Sequence, residues 1–229
     1  METPLEFLYK GKKLGLCGVK LPFWINLPYV DICKTLSLDL LHSFYKFFYN
    51  HVFHWNRTGL GAAELDACLA LQIQLVGDCV FAQGVLRISQ MSGKDHRDLM
   101  RTQVAVVAGG PNDISTKVTR ATQAVINCIS LAQYSTMTDS MLQAYKNSYL
   151  DLQNLKHAWI ENKTRRGKRG VIKDFDIPKM HNLCHLSAHV CAKGPPDNYS
   201  TETMERLHIV LIKDAYQATN CRNWAEQST

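Results

Sequence analysis

The sequence contains none of the short motifs that mark common nucleotide-binding and hydrolase sites. It has no GxxxxGK[ST] phosphate loop, no GxSxG nucleophile turn and no Rossmann glycine pattern. The glycines at Gly59, Gly61, Gly109 and Gly110 are instead typical of helix ends. These absences exclude the usual P-loop, α/β-hydrolase and dinucleotide-binding enzymes.

Closely spaced cysteine pairs are also missing. The 8 cysteines contain no CxxC pair and form no dense framework. We therefore expect reduced, mostly buried thiols in an intracellular protein. The cysteines are Cys17, Cys33, Cys68, Cys79, Cys128, Cys184, Cys191 and Cys221.

Export and membrane signals are absent as well. The start of the chain lacks the basic and then apolar arrangement of a secretory signal, and no apolar run reaches the roughly 18 residues of a membrane span. The glycosylation-like triplets at Asn56, Asn162 and Asn198 are then chance matches. The sequence predicts a nuclear or cytoplasmic protein that is not secreted and has no membrane partner.

The composition is that of an ordinary globular domain. Of 229 residues, 46% are hydrophobic and 20% are charged, and the net charge is +6. That length allows one sizeable core or two small ones. The charge permits an anionic partner without demanding one.

Helical periodicity dominates after an irregular start, so we predict a mainly α protein. Residues 1–36 are expected to be an irregular N-terminal segment, with 14–19 a candidate strand. Residues 37–162 form the predicted helical domain, 163–176 a basic loop and 177–229 a C-terminal motif region. Five helices are expected in this domain: one that begins at Ser37, one over 62–76, one from Ser92 to Ala108, one that begins at Asp113 or Ser115, and one that begins at Thr138 or Asp139. Residues 80–88 are either a short helix or a strand.

Most of the unbalanced positive charge lies in one stretch, residues 163–173. It is a candidate for contacts with DNA phosphates, for a nuclear-import signal, or for a plain solvated linker. No aromatic residues interleave, so stacking on single strands is not indicated. The candidate DNA-binding residues here are Lys163, Arg165, Arg166, Lys168, Arg169 and Lys173.

A turn and a helix follow near the C-terminus. Residues 194–199 are rich in turn formers, and Ser200 or Thr201 can cap the helix behind them. Glu202 and Glu205 lie in its first turn, where the helix dipole favours carboxylates. An apolar stripe continues through Met204, Leu207, Val210, Leu211 and Ala215.

Three blocks of the sequence carry a resemblance to a known family. They are the C-terminal run 194–209 with Lys213, Tyr216 and Asn220, the segments 22–28 and 38–42, and the segment 175–183. These blocks, and the order in which they follow one another along the chain, resemble fungal transposases of the Plavaka type, relatives of the Kyakuja–Dileera–Zisupton (KDZ) elements. The resemblance covers nearly the whole chain from about Leu14.

The resemblance implies an RNase H-like DDE transposase that cleaves and transfers DNA strands with Mg²⁺ or Mn²⁺. The chain would carry the helical insertion and the C-terminal catalytic helix, without the N-terminal strands. The motif match assigns Asp39 and Glu202 as metal ligands, with Glu205 as the alternative to Glu202 and Asp31 as a weaker candidate. It also assigns DNA contacts to Arg206 and Lys213 and supporting roles to His42 and His208.

Departures from the family pattern argue against activity. Val210 stands where the family usually has an aspartate, and Leu38, Tyr45 and Phe47 replace a usual proline, histidine and glycine. These changes predict a truncated, inactive copy, so whether the chain is an enzyme stays open. The alternative is a non-catalytic helical remnant that binds DNA or protein. A homo-oligomer, or a full-length transposase acting in trans, is an open partner.

A second set of potential ligands occupies residues 181–191. His181, His185 and His189 recur at helical spacing, with Cys184 and Cys191 between or beside them. This suggests a lesser alternative, a small zinc-binding helical module. The sequence does not favour zinc, because structural sites usually draw ligands from two separated pairs.

Overall fold

The computed structural model describes residues 4–13, 21–22, 24–73, 77, 79, 81–86, 88, 91–110, 114 and 116–220. It divides the chain into two units, Met1–Ser37 and Leu38–Thr229. The described residues are mainly helical, as predicted, and contain one two-stranded sheet.

The first unit contains helix α1, Pro4–Lys13, and the short α2, Ile32–Thr35. The expectation of an irregular start is therefore wrong for the first of these segments. Proline at the first helical position, an acid in the first turn and lysines in the last turn all suit a helix. The candidate strand 14–19 lies outside the described residues.

The second unit is a succession of helices with one hairpin. A helix over residues 40–60, here the aromatic helix, comprises two π-helical stretches, Leu40–Tyr45 and Phe48–Phe53, and α3, His54–Leu60. The remaining elements are α4 Ala62–Ala70, α5 Gly93–Ala108, α6 Thr116–Ala132, α7 Asp139–Leu155, α8 Ala158–Glu161, β1 Arg166–Gly167, β2 Gly170–Val171, α9 Pro178–Asn182, a 3₁₀ turn Leu183–His185, α10 Leu186–Lys193, a 3₁₀ turn Pro196–Tyr199, and a C-terminal helix over 202–217.

The aromatic helix is buried along most of its length. Its side chains Phe44, Phe47, Phe48 and Val52 are fully buried, because α5, α6 and α9 pack around it. The predicted cap, Ser37, is not used. Asp39 caps the helix instead, and its carboxylate accepts a hydrogen bond from the His42 N–H at 2.8 Å.

The predicted boundaries of the other helices agree with the structure in part. Ser92 caps α5 in a capping box with Asp95, and Thr138 caps α7, so both predictions are confirmed. Helix α4 ends at Ala70, earlier than the predicted 76, and within 81–88 the described residues form turns. The two candidate starts of α6 lie outside the described residues, and α6 begins at Thr116.

A buried polar cluster links three helices within the core. Asn56 is fully buried, and its amide group exchanges hydrogen bonds with the Thr122 hydroxyl at 3.1 and 3.3 Å. The Trp159 indole N–H donates to Asn56 Oδ1 at 3.1 Å. One amide therefore satisfies polar groups on α6 and α8 that would otherwise be buried without partners.

None of the residues of the C-terminal helix is buried, in contrast to the long helices α5, α6 and α7. It comprises α11 Glu202–His208, a π-helical stretch Ile209–Asp214 and α12 Ala215–Gln217. Thr201 stands at the cap position without a side-chain capping bond. The predicted apolar stripe is exposed, with Met204 at 68% and Leu211 at 63% of their full accessibility.

Replacing Asn56 with leucine should lower the free energy of unfolding by about 2–3 kcal/mol, because Trp159 and Thr122 would keep buried donors without acceptors. Urea unfolding measures the change. The control Thr122→Val removes one partner and leaves the Trp159 bond, so it should cost less. An Asn56→Leu variant as stable as the parent would contradict the role of this cluster.

Candidate functional site

Asp39 connects the start of the aromatic helix to the start of the C-terminal helix. Its Oδ2 accepts a hydrogen bond from the His42 N–H, and its Oδ1 accepts one from the Thr201 N–H at 2.8 Å. Thr201 lies 162 residues further along the chain. Capping a helix uses only one oxygen of an aspartate. The second oxygen of Asp39 accepts the hydrogen bond from Thr201 and so links the start of the aromatic helix to the start of the C-terminal helix.

These hydrogen bonds favour the ionised form of Asp39. Burial by itself raises the pKa of this carboxyl, but the N–H donors of Thr201 and His42, together with their side chains, outweigh it. The net pKa of Asp39 is therefore below its ordinary value of 3.8. The group is a carboxylate at neutral pH.

His42 lies between two of the predicted carboxylates. Its Nδ1 is 2.7 Å from Asp39 Oδ2, and its Nε2 is 2.8 Å from Glu205 Oε1. Only the protonated imidazolium can donate to both acids at once. We call this arrangement the Asp39–His42–Glu205 link. The side chains of His42 and Glu205 are 42% and 49% exposed, so solvent screens the interaction between these two residues.

Glu202 takes a different position from Glu205. Its Oε1 would lie 3.3 Å from a Cβ built on Gly93, which places the carboxylate beside the N-terminus of α5. The dipole of that helix favours a negative charge there. Sequence spacing could not separate Glu202 from Glu205, and the structure ties Glu205, not Glu202, to His42.

The predicted acids Asp39, Glu202 and Glu205 are not among the close groups of potential metal ligands in the described residues, and their role as ligands stays a prediction. A Mg²⁺ or Mn²⁺ ion needs several oxygen ligands around one point. Both oxygens of Asp39 accept hydrogen bonds, and the His42 ring separates that carboxylate from Glu205. Among the described residues, the one group of three close potential ligands is His181, Cys184 and His185. We therefore derive no metal-dependent step at Asp39. The weaker candidate Asp31 belongs to the first unit, where it accepts from the Lys34 N–H at 3.4 Å.

A cleft of about 730 Å³ lies between the C-terminal helix and the start of α5. Predicted DNA contacts Arg206 and Lys213 line it, as do His208, Glu202 and Glu205. Lys46 and Arg97 also line it; these two were missed because no motif marks them. Opposite charges share the lining, so the cleft is not a purely cationic surface.

The basic stretch forms a hairpin where a loop was expected. Strands β1 and β2 pair antiparallel, with Gly167 opposite Gly170, so Lys168 and Arg169 form the turn. We call residues 163–173 the basic hairpin. Lys163, Arg166, Lys168, Arg169 and Lys173 are all exposed.

Arg165 is the exception within the basic hairpin. It is buried, its Nε donates to the Asp174 carbonyl at 2.6 Å, and a guanidinium nitrogen lies 3.4 Å from Asp174 Oδ1. The guanidinium carbon lies 5.0 Å from the Trp55 ring centre and 4.9 Å from that of Phe175. This side chain anchors the hairpin, so we leave it out of the proposed DNA surface.

Comparison with known proteins supports the resemblance. Residues 3–56 match the family model described as Plavaka transposase, a segment that includes Asp39 and His42. The resemblance to Plavaka-type transposases is thus confirmed over these residues. No curated protein and no solved structure matches the chain. None of the helices in the described ranges is long and apolar enough to cross a membrane.

Replacing Asp39 with asparagine should lower the free energy of unfolding by about 2 kcal/mol near neutral pH, because an amide NH₂ would face N–H donors. The folded-state pKa of Asp39 is below 3.8, so its stabilisation is complete above that pH and is lost as the pH falls through the folded pKa. Urea unfolding at several pH values should show the gap between parent and variant shrinking in acid.

The matched control is Asp139→Asn, which changes an exposed acid in the first turn of α7. It should have a much smaller effect. A gap between the parent and Asp39→Asn that stays constant into acid would contradict the assigned hydrogen bonds.

Proposed function

We propose that this chain derives from a transposon and binds DNA through the basic hairpin, with phosphate groups as the main contacts. The proposal rests on one observation. Lys163, Arg166, Lys168, Arg169 and Lys173 are exposed together, and none of them makes an ion pair with the described residues. Exposed, uncompensated cations on a short hairpin supply sequence-independent affinity for a polyanion.

The base of the hairpin is held firmly, which lowers the entropy lost on binding. Arg165 stacks on Trp55 of the aromatic helix and on Phe175. The Thr164 hydroxyl donates to the Trp159 carbonyl at 3.1 Å, and the Ile172 N–H donates to the Arg165 carbonyl at 3.0 Å. The cations at the turn are thus presented from an anchored base instead of a free linker.

Double-stranded DNA suits this surface better than single strands. No aromatic residue occurs within 163–173, so the hairpin offers no platform for base stacking. Phosphate contacts alone position a protein on a duplex without reading its sequence. The Plavaka match supports DNA as the polyanion, and binding to DNA favours action in the nucleus.

The cleft supplies a secondary set of cations. Arg206, Lys213 and Lys46 line it and could approach phosphates beside the C-terminal helix. Glu202 and Glu205 in the same lining would repel phosphate. We therefore assign the larger share of the affinity to the hairpin.

We propose binding without strand cleavage as the behaviour of this arrangement. Among the acids assigned by resemblance, Asp39 and Glu205 both contact His42, and Glu202 lies beside the N-terminus of α5. A second copy or a full-length transposase would have to supply catalytic ligands in trans.

The double variant Lys168→Ala/Arg169→Ala should bind a duplex about tenfold more weakly, because two phosphate contacts are lost. The slope of log K against log salt concentration should fall by about 1.8. Fluorescence anisotropy with a labelled duplex, titrated at several salt concentrations, gives both quantities.

The control Arg120→Ala/Lys146→Ala removes one arginine and one lysine that are exposed on α6 and α7. It should leave the affinity and the salt slope nearly unchanged. Equal losses in the two double variants would reduce the effect to net charge and would overturn the assignment to the hairpin.

Titration calorimetry with Mg²⁺ or Mn²⁺ should show no binding that depends on Asp39 or Glu202, because Asp39 is hydrogen-bonded to His42 and Thr201 and Glu202 lies beside the N-terminus of α5. Asp39→Asn and Glu202→Gln provide the comparison. Metal binding in the parent that is lost in both variants, or metal-dependent nicking of DNA, would contradict non-catalytic binding.

A further inference from the structure

We propose that His181, Cys184 and His185 bind a zinc ion. The site lies on α9 and the 3₁₀ turn that follows it, and it is separate from the basic hairpin and from the Asp39–His42–Glu205 link. One potential ligand atom from each of the three side chains lies within 4.8 Å of the other two. The proposal does not depend on DNA binding.

The spacing of the two imidazoles fits one metal ion. His181 Nε2 and His185 Nε2 are 3.3 Å apart, and their rings meet nearly at right angles, at 81°. Two nitrogens each about 2.05 Å from an ion and separated by this distance subtend an angle of roughly 107° at the ion. That is close to the tetrahedral angle that zinc adopts in proteins.

The third ligand sets the class of metal. Cys184 lies three residues after His181 and directly before His185, so all three side chains share one helical face. Two imidazoles and a thiolate suit zinc and other borderline divalent ions, whereas magnesium and manganese prefer oxygen. The three side chains are exposed, so an ion reaches them without opening the core.

The backbone that carries these ligands is fixed by its neighbours. Leu183 and Leu186, on the opposite side of the same turn, are fully buried. The Tyr145 hydroxyl, itself buried, donates to the Leu183 carbonyl at 2.7 Å. A held backbone limits the ordering needed on binding to rotations of the three side chains.

The ligand set differs from the sequence expectation in one member. The histidine repeat suggested His189 as the third ligand, but its ring centre is 6.3 Å from that of His185, and it is not in the close group. Cys184 takes its place. Three protein ligands leave a fourth position for water, as in open zinc sites.

Cobalt(II) titration of the purified chain, stripped of metal with a chelator, tests the proposal. We expect one ion per chain, visible d–d absorption of a tetrahedral ion and near-ultraviolet thiolate-to-metal charge transfer. Zinc should displace the cobalt. The affinity should fall in acid, because protons compete for the imidazole nitrogens and the thiolate.

Three variants assign the ligands. Cys184→Ser should abolish the charge-transfer band, and His185→Gln should weaken binding by at least about tenfold. The control Cys191→Ser changes another exposed cysteine, outside the close group, and should change nothing. Circular dichroism should show all three folded, since the altered side chains are exposed.

Absence of binding to the parent chain would overturn the proposal. So would a charge-transfer band that survives Cys184→Ser or disappears in Cys191→Ser. None of these outcomes bears on DNA binding by the hairpin, so the two proposals fail separately.

Discussion

Burial of the aromatic helix is the constraint on which the second unit depends. Phe44, Phe47 and Phe48 are wholly removed from solvent, and each such side chain contributes about 1.5–3 kcal/mol when buried. A helix that is apolar on most sides cannot lie at a surface, so other helices must enclose it. Its two ends hold two further features in place: Asp39 caps its start and bonds Thr201, and Trp55 near its end supports Arg165 of the basic hairpin.

Local signals in the sequence were sufficient for most helices and insufficient for their long-range partners. Ser92 was identified as a cap, and Thr138 as one of two candidate helix starts, because each precedes a periodic apolar run. Ser37 failed as a cap because Asp39, two residues later, gains a second hydrogen bond from Thr201, and no local pattern shows that bond. The structure of α1 was missed because glycines and prolines interrupt the first 36 residues, although the terminal charges of Pro4–Lys13 suit a helix.

The same division holds for the candidate site. Motif resemblance selected Asp39, His42 and Glu205, and the structure brings these three together across the length of the unit. Resemblance did not show that an imidazole would stand between the acids. Arg165 was taken for a surface cation because its neighbours in sequence are basic, whereas its aromatic partners Trp55 and Phe175 come from separate segments. The sequence placed Cys184 among five candidate zinc ligands, and the structure groups it with His181 and His185 and leaves His189 outside that group.

The anchored basic hairpin is the surface that we propose for DNA. Hydrogen–deuterium exchange of the chain, with and without a saturating duplex at low salt, tests it most directly because the method reports where protection appears. We expect slower exchange over 163–173 on adding DNA, with little change on α6 and α7. Binding that protects those helices and leaves the hairpin unchanged would contradict it.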